Sequence, residues 1–316
     1  MTIRKAAPSD IPAIISVLKI SLGEDQLAVS EEVWNFKHED NPFGKSIVFV
    51  AEENEKIIGV RAFMRWNWKN ENQVYKACRA VDTATHPEHR GKGIFKKLTL
   101  KAVEAAREEG VNFIFNTPNE QSRPGYLKMG WETAGKIKVG LFPAWNSFWR
   151  LRKNQQGFSI DKNLSPKDLD SLCKEWNNRL ARTSGLYTPK SPDYLRWRYE
   201  INPLQNYEVY NGAGIYMAAI VKYRKNFKEL RIVECIFGDG NSNPKDVKKL
   251  IKKWSLKFGV HVISFSPELM KINGPSISGS FGPILTIRNL NTEFPNMPEI
   301  SDVQKWTYSL GDLELF

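Results

Sequence analysis

The residues best placed to do chemistry lie in one loop, His86-Pro87-Glu88-His89-Arg90-Gly91-Lys92-Gly93-Ile94-Phe95. An apolar run ending at Thr85 reads as a strand and the periodic segment from near Phe95 reads as a helix. The loop therefore has the order strand, glycine-containing turn, helix start that suits an anion. First-turn N–H groups have no intrahelical partner and point outward together, small residues let a pyrophosphate approach them, and the helix dipole adds attraction. Such a site needs no metal. The spacing of His86 and His89 invites a metal reading, but His-x-x-His without a cysteine or carboxylate set is a poor zinc signature, and these read as solvated loop histidines. Cys78, Cys173 and Cys235 form no CxxC pair and are odd in number, which fits a reducing compartment and small buried side chains. The sequence places no histidine beside Cys78, so it is not read as a nucleophile.

The elements that must hold this loop are repeated. Ser30 to Pro42 aligns without gaps on Ser191 to Pro203, pairing Ser30 with Ser191, Phe36 with Trp197, Lys37 with Arg198, Glu39 with Glu200 and Asn41-Pro42 with Asn202-Pro203. Upstream, Pro8-Ser-Asp-Ile11 and Pro166-Lys-Asp-Leu169 each open an apolar-periodic helix with proline in the first turn, where its missing N–H costs nothing. Downstream, Ile57 to Phe63 matches Ile215 to Val221, and Ala80-Val81-Asp82 matches Ile232-Val233-Glu234, as equivalent strands. Helix Leu98 to Glu109, closed by Gly110 and followed by Val111 to Phe115, matches Val247 to Phe258, closed by Gly259 and followed by Val260 to Phe265. Each half predicts strand, helix, helix, strand pair, strand, helix, strand, helix, strand: an α/β fold with a mixed sheet, not an all-parallel doubly wound one.

A chain of 316 residues has room for two ordinary domains at about 150 residues each. The expected division is 1–142, a linker 143–157, and 158–316, with Trp306 to Phe316 completing the second sheet. Pro143 to Lys153 is aromatic and basic, and reads as a linker packed between domains in preference to a membrane anchor. A composition of 41% hydrophobic and 26% charged residues is globular. The N-terminus has no signal-peptide core and no run of about 20 apolar residues follows, so a cytoplasmic protein without a transmembrane segment is expected. Lys and Arg outnumber Asp and Glu by 46 to 35, and the charge of +11 favours anionic partners. No arginine-rich stripe or binding motif points to nucleic acid.

Arg90-x-x-Gly93-x-Phe95, after a strand and a His-Pro-Glu turn, resembles the Arg/Gln-x-x-Gly-x-Gly/Ala motif of the GNAT superfamily of acyl-CoA N-acyltransferases. Phe95 departs from it, standing where a small residue is usual. Asn119, a seven-residue step to Tyr126, then Gly130-Trp131 resembles the family's second signature. The resemblance covers about residues 1 to 140 by motif and the second half only through the repeat, where the equivalent loop, Asp239 to Lys245, lacks the arginine and the paired glycines. It implies two tandem GNAT-like domains, each a mixed, mostly antiparallel sheet flanked by helices, of which only the first binds cofactor. It implies acetyl-CoA, or another short acyl-CoA, as co-substrate, held by the backbone of Thr83, Ala84 and Thr85, by Arg90, Gly91, Lys92, Gly93, Ile94 and Phe95, and by Asn119. It further implies Tyr126 as general acid beside the sulfur and Asp82 as candidate base, with a water relay as the alternative.

The expected reaction is transfer of acetyl to a primary amine by direct attack. Small metabolites, sugar amines and peptide amines all fit as acceptors, with Gly23 to Lys37 shaping the choice. Two rivals remain open: aminoacyl transfer from charged tRNA of the peptidoglycan-bridge type, against which an intact phosphate loop argues, and a module that holds acyl-CoA without turnover.

Overall fold

The computed structural model describes residues 1–22, 30–144, 157–183, 185–225, 227–238, 244–272, 274–290 and 300–313. Its contacts divide into two units. The first comprises Met1–Trp68, Gln73–Gly135 and Ile284–Asp302, and the second Lys69–Asn72, Lys136–Pro283 and Val303–Phe316.

In chain order the elements are β1 (Thr2–Lys5), α1 (Ile11–Leu22), α2 (Glu31–His38), β2 (Ile47–Glu53), β3 (Lys56–Asn70), β4 (Gln73–Thr85), α3 (Ile94–Glu108), β5 (Phe113–Asn116), α4 (Arg123–Leu127) and β6 (Glu132–Lys136). They continue with β7 (Val139–Pro143), β8 (Ile160–Lys162), α5 (Pro166–Leu180), α6 (Pro192–Leu195), β9 (Glu208–Gly212), β10 (Ile215–Tyr223), β11 (Lys228–Phe237), α7 (Pro244–Phe258), β12 (Val262–Phe265), β13 (Ile277–Gly279), β14 (Ile284–Asn289) and α8 (Leu310–Leu313). The protein is mixed α/β, with two seven-stranded mixed sheets ordered β1-β2-β3-β4-β5-β14-β6 and β13-β7-β12-β11-β10-β9-β8.

The repeat is visible in the caps. Ser30 Oγ accepts from Val33 N at the start of α2, and Ser191 Oγ from Tyr194 N at the start of α6. Each asparagine of the Asn-Pro pair then accepts from the amide two residues on, Asn41 from Phe43 and Asn202 from Leu204, both at 2.9 Å. In both units these turns tie a short helix to the next strand through the same side-chain chemistry.

In the first unit α3 presents Ile94, Leu98, Ala102, Val103 and Ala106 at near-fourfold spacing, and they pack on Ile47, Phe49, Ile58, Phe63, Cys78 and Ala80 of the sheet. Close seating depends on Gly59, where a Cβ would come within 2.9 Å of Ile94 Cγ2 and 3.2 Å of Leu98 Cδ1. In the second unit α7 buries Val247, Leu250, Ile251, Trp254 and Phe258 against Ile215, Met217, Leu230, Ile232 and Ile263. All three cysteines are buried and free, and burial pushes the Cys78 thiol up to about 12, which disqualifies it as a nucleophile at neutral pH.

Two expectations about chain division are corrected. A cut after residue 142 would pass through β7, which pairs with β12 and β13 of the second sheet (Ile263↔Phe142, Ser278↔Gly140), while β14 inserts between β5 and β6 of the first. Each half thus completes its sheet with a strand from the other half of the chain, which no local pattern in a four- to six-residue apolar run can reveal. The expected linker falls largely on residues 145–156, outside the described ones. Among its described residues, which end at Leu313, the C-terminal segment also adds no strand: Trp306 forms a single bridge to Leu186, and α8 follows. Its Asp312 enters a buried cluster, accepting from Lys190 Nζ at 2.7 Å and Tyr194 Oη at 2.8 Å.

Candidate active site

The site is built where two parallel strands part. β4 pairs with β5 only over Ala77–Arg79 against Phe113–Phe115, and β4 then runs on six residues to Thr85. Between Arg79 and Thr85 the chain kinks at Asp82, whose φ of 39° lies in the left-handed region that a non-glycine residue seldom occupies. The repeat position in the second unit is also irregular, since the register of β10 with β11 jumps from Ala218↔Glu234 to Ala219↔Ile232.

Beyond Thr85 a 3-10 turn (Pro87–His89) leads to Gly91 and Gly93, with φ of 78° and 71°, and then to α3. Gly93 is the N-cap, and α3 receives no side-chain cap. A Cβ on either glycine would meet nothing within 4 Å, so the two are needed for their left-handed backbone and not for space. Among the described residues no hydrogen bond satisfies the amides of Gly91 to Phe95. Arg90 is exposed and donates from Nη2 to Ser21 O, and Ser21 Oγ donates to Thr85 O, so the end of α1 is tied to both sides of the loop.

Tyr126 is buried on α4 with Trp131 at 5.2 Å and Phe95 edge-on at 5.6 Å, ring to ring. Its hydroxyl makes no hydrogen bond among the described residues. Phe95 is accommodated by Gly125, where a Cβ would lie 3.2 Å from Phe95 Cε1; the bulk that departs from the small-residue motif is matched by a missing side chain on α4. Asn119 is exposed, and its Oδ1 accepts from Ser122 N at 2.9 Å and Ser122 Oγ at 2.8 Å. It caps the turn that starts α4, and so acts on the position of Tyr126.

Asp82 does not stand free. Its carboxylate forms an ion pair with Lys37 Nζ and accepts from His38 Nε2 at 2.9 Å, while His38 Nδ1 accepts from Ser46 Oγ at 2.9 Å. Burial pushes the Asp82 carboxyl up, but the Lys37 charge and the His38 hydrogen bond outweigh it and hold it well below the usual carboxylate range. Burial likewise holds the His38 ring below its ordinary value. A carboxylate so stabilised is a poor proton acceptor. The repeat gives an internal control. Tyr199 and Glu234, the counterparts of His38 and Asp82, make the same contact at 3.1 Å, with Lys190 Nζ 2.8 Å from Glu234, in the unit whose loop lacks the arginine and paired glycines. The contact belongs to the fold.

His86 and His89 sit with Glu88 so that one ligand atom of each lies within 4.8 Å of the others. The cluster is partly or fully exposed, and His89 Nδ1 already faces Glu53 Oε2 and Lys92 Nζ, both at 3.3 Å, so it reads as a surface charge network. Some of its residues, with Arg4, Asp10 and Glu52, line a cavity of about 680 Å³ that includes neither Tyr126 nor Asp82. Residues 23–29 of the expected acceptor segment Gly23 to Lys37, and 239–243 of the second unit's loop, lie outside the described residues.

Sequence reasoning missed two contributors. Arg61 of β3 is fully buried, with its guanidinium carbon 4.9 Å from the Phe63 ring, 5.2 Å from Tyr126 and 5.8 Å from Phe95, and Nε, Nη1 and Nη2 all lack a hydrogen-bond partner. Cation–π contact contributes about 2 kcal/mol in a dry setting, yet it acts on the face of the ion; an orphaned buried donor costs about 1–3 kcal/mol. A lone arginine inside the apolar run Ile57 to Met64 was the available signal. The other contributor is β14. Thr286 Oγ1 donates to Asn116 Oδ1 at 2.7 Å, and Arg288 donates to Met129 O while lying over the Trp131 ring, so both ends of the segment carrying Tyr126 are held by residues far along the chain.

Residues 2–134 match the family described as the acetyltransferase (GNAT) domain. Among solved structures the fold is similar to a GCN5-related N-acetyltransferase from Anabaena variabilis (TM-score 0.64, 16% identity, covering 92% of this chain and 73% of that one). It is also similar to a probable N-acyltransferase from Enterococcus faecalis (0.64, 13%, 92% and 72%) and to Eis1 from Mycobacterium abscessus (0.57, 14%, 92% and 74%). No curated protein matches the chain in sequence.

Proposed function

We propose that this chain, whose residues 2–134 belong to the acetyltransferase (GNAT) family, transfers acetyl or another short acyl group from coenzyme A to a primary amine by direct attack. The observation that carries the reading is the uncapped start of α3 behind two left-handed glycines, at the mouth of the cleft where β4 leaves β5. That arrangement fits a diphosphate joined to an extended arm: unsatisfied amides meet the anion, and the free edge of β4 offers backbone groups to the arm's amides. Coenzyme A would supply the activated thioester.

In this reading the amides of Gly91 to Phe95 hold the diphosphate, with Arg90 and Lys92 adding charge. The backbone of Thr83, Ala84 and Thr85 lines the arm, and one of its N–H groups polarises the thioester carbonyl. The Tyr126 hydroxyl, without an internal acceptor, gives its proton to the departing sulfur. Asn119 acts through the α4 turn. Asp82 supports the kink of β4 and keeps Lys37 and His38 in place. An amine with a pKa near about 10.4 must shed a proton before attack, and with Asp82 ion-paired this falls to solvent.

The test is a calorimetric titration of the full chain with coenzyme A, followed by thiol release from acetyl-CoA over a pooled amine library. Binding with amine-dependent release is expected. Binding without release across all amine classes would replace the transferase with an acyl-CoA-holding module, and absence of binding would remove the cofactor reading.

A further inference from the structure

We infer that Arg61 recognises the far end of the acyl group, and that the acyl-CoA this chain prefers carries a terminal carboxylate, as in malonyl or succinyl thioesters. The inference rests on the reading of the cleft as an acyl-CoA site.

Arg61 is the buried charge of this region whose donors, Nε, Nη1 and Nη2, all meet no acceptor among the described residues. Its aromatic neighbours Phe63, Phe95 and Tyr126 cover the face of the guanidinium and exclude water, but the N–H donors lie at the edge, and rings supply no acceptor in that plane. A planar fork of donors in a dry aromatic surround is matched by a carboxylate, which accepts two parallel hydrogen bonds. Position agrees with this. His86 N donates to Ile58 O and Thr83 Oγ1 to Val60 O, which sets Arg61 level with the kink of β4 at Asp82 and Thr83. Its neighbour on the same face, Gly59, lies under Ile94, so Arg61 points to the α3 side, where Tyr126 also stands. If Tyr126 serves the sulfur, a guanidinium 5.2 Å from its ring is within reach of a carboxylate one or two methylenes beyond the thioester carbon, at about 1.5 Å per bond. An acetyl group ends too soon to meet it.

The bonds changed are those of any such transfer: the amine nitrogen bonds to the acyl carbon, the carbon–sulfur bond breaks, the sulfur takes the Tyr126 proton and leaves as a thiol, the amine's surplus proton goes to solvent, and Tyr126 regains a proton from solvent. The distal carboxylate takes no part in them.

The experiment uses matched pairs that differ by the charge alone. Calorimetry on the full chain compares succinyl-CoA with butyryl-CoA and malonyl-CoA with propionyl-CoA, with free coenzyme A as reference. At least one carboxylated thioester is expected to bind about tenfold or more tightly than its neutral partner. Arg61→Met is expected to bring the pair within about twofold while leaving coenzyme A affinity unchanged, and Arg61→Lys to retain part of the preference. Equal binding within both pairs by a wild-type chain that does bind coenzyme A overturns this inference alone, and needs no variant to fold. A preference that survives in Arg61→Met also overturns it. A wild-type chain that binds no coenzyme A takes down the transferase reading and this inference together.

Discussion

Side chains at this site earn their properties from what surrounds them. Tyr126 is wedged between Phe95 and Trp131 with its hydroxyl uncommitted, so Tyr126→Phe should preserve packing and coenzyme A affinity while lowering kcat by about 100-fold. Equal turnover in stopped-flow thiol assays would remove the phenol from the mechanism. His38 makes a prediction about stability. Burial lowers its folded pKa below the ordinary value near 6.5, so as pH falls through that value the unfolded chain takes up a proton that the folded chain does not, and stability is lost on acidification. Asp82 adds to this at lower pH: its folded pKa is depressed, so its contribution is full above about pH 4 and disappears as pH falls through the depressed value. Urea midpoints should therefore drop between pH 7.5 and 5, and His38→Gln should flatten that slope; an unchanged slope would exclude His38 as its source. Tyr126 was legible from its spacing to Asn119 and Gly130. The environment of Asp82 was not, because Lys37 and His38 come from α2, more than forty residues away.

Elements set the aim of these groups. α3 starts from a chain that Gly93 turns through φ 71°, and Gly59 lets the helix lie close on β3. Gly93→Asp places a carboxylate beside the first-turn amides of α3, where it repels a diphosphate, so coenzyme A affinity should fall at least about tenfold by calorimetry, with about 1–2 kcal/mol of stability lost to the left-handed backbone. Retained affinity would move the diphosphate elsewhere. Gly59→Ala would drive a methyl against Ile94 and Leu98 and should cost about 1–3 kcal/mol, read as a lower urea midpoint. Both elements were readable beforehand, since a periodic apolar stripe and a glycine pair are local signals.

At the scale of the whole molecule, the two sheets are each completed by a strand from the other half of the chain, β14 in the first and β7 in the second. A fragment ending at residue 143 would leave β5 without the antiparallel partner Thr286–Asn289 and would lose the hold of Thr286 and Arg288 on the α4 segment. Such a fragment should be insoluble or lack a cooperative melt, whereas joining residues 284–290 to it should restore one; a well-folded 1–143 fragment would show that the exchanged strand is dispensable.

The sequence by itself determined what depends on neighbours along the chain: the duplicated order of elements, the serine caps and Asn-Pro turns, the glycine loop before α3, and the tyrosine one helix later. Each is a matter of periodicity or turn chemistry within about a dozen residues. Only the tertiary structure decided which strand fills each sheet, which partners hold Asp82 below its ordinary pKa, and that Arg61 is buried among rings with its donors unmet. Those follow from pairings across tens to hundreds of residues, where a short apolar strand fits more than one sheet edge and a single charge has no local pattern to announce its partner.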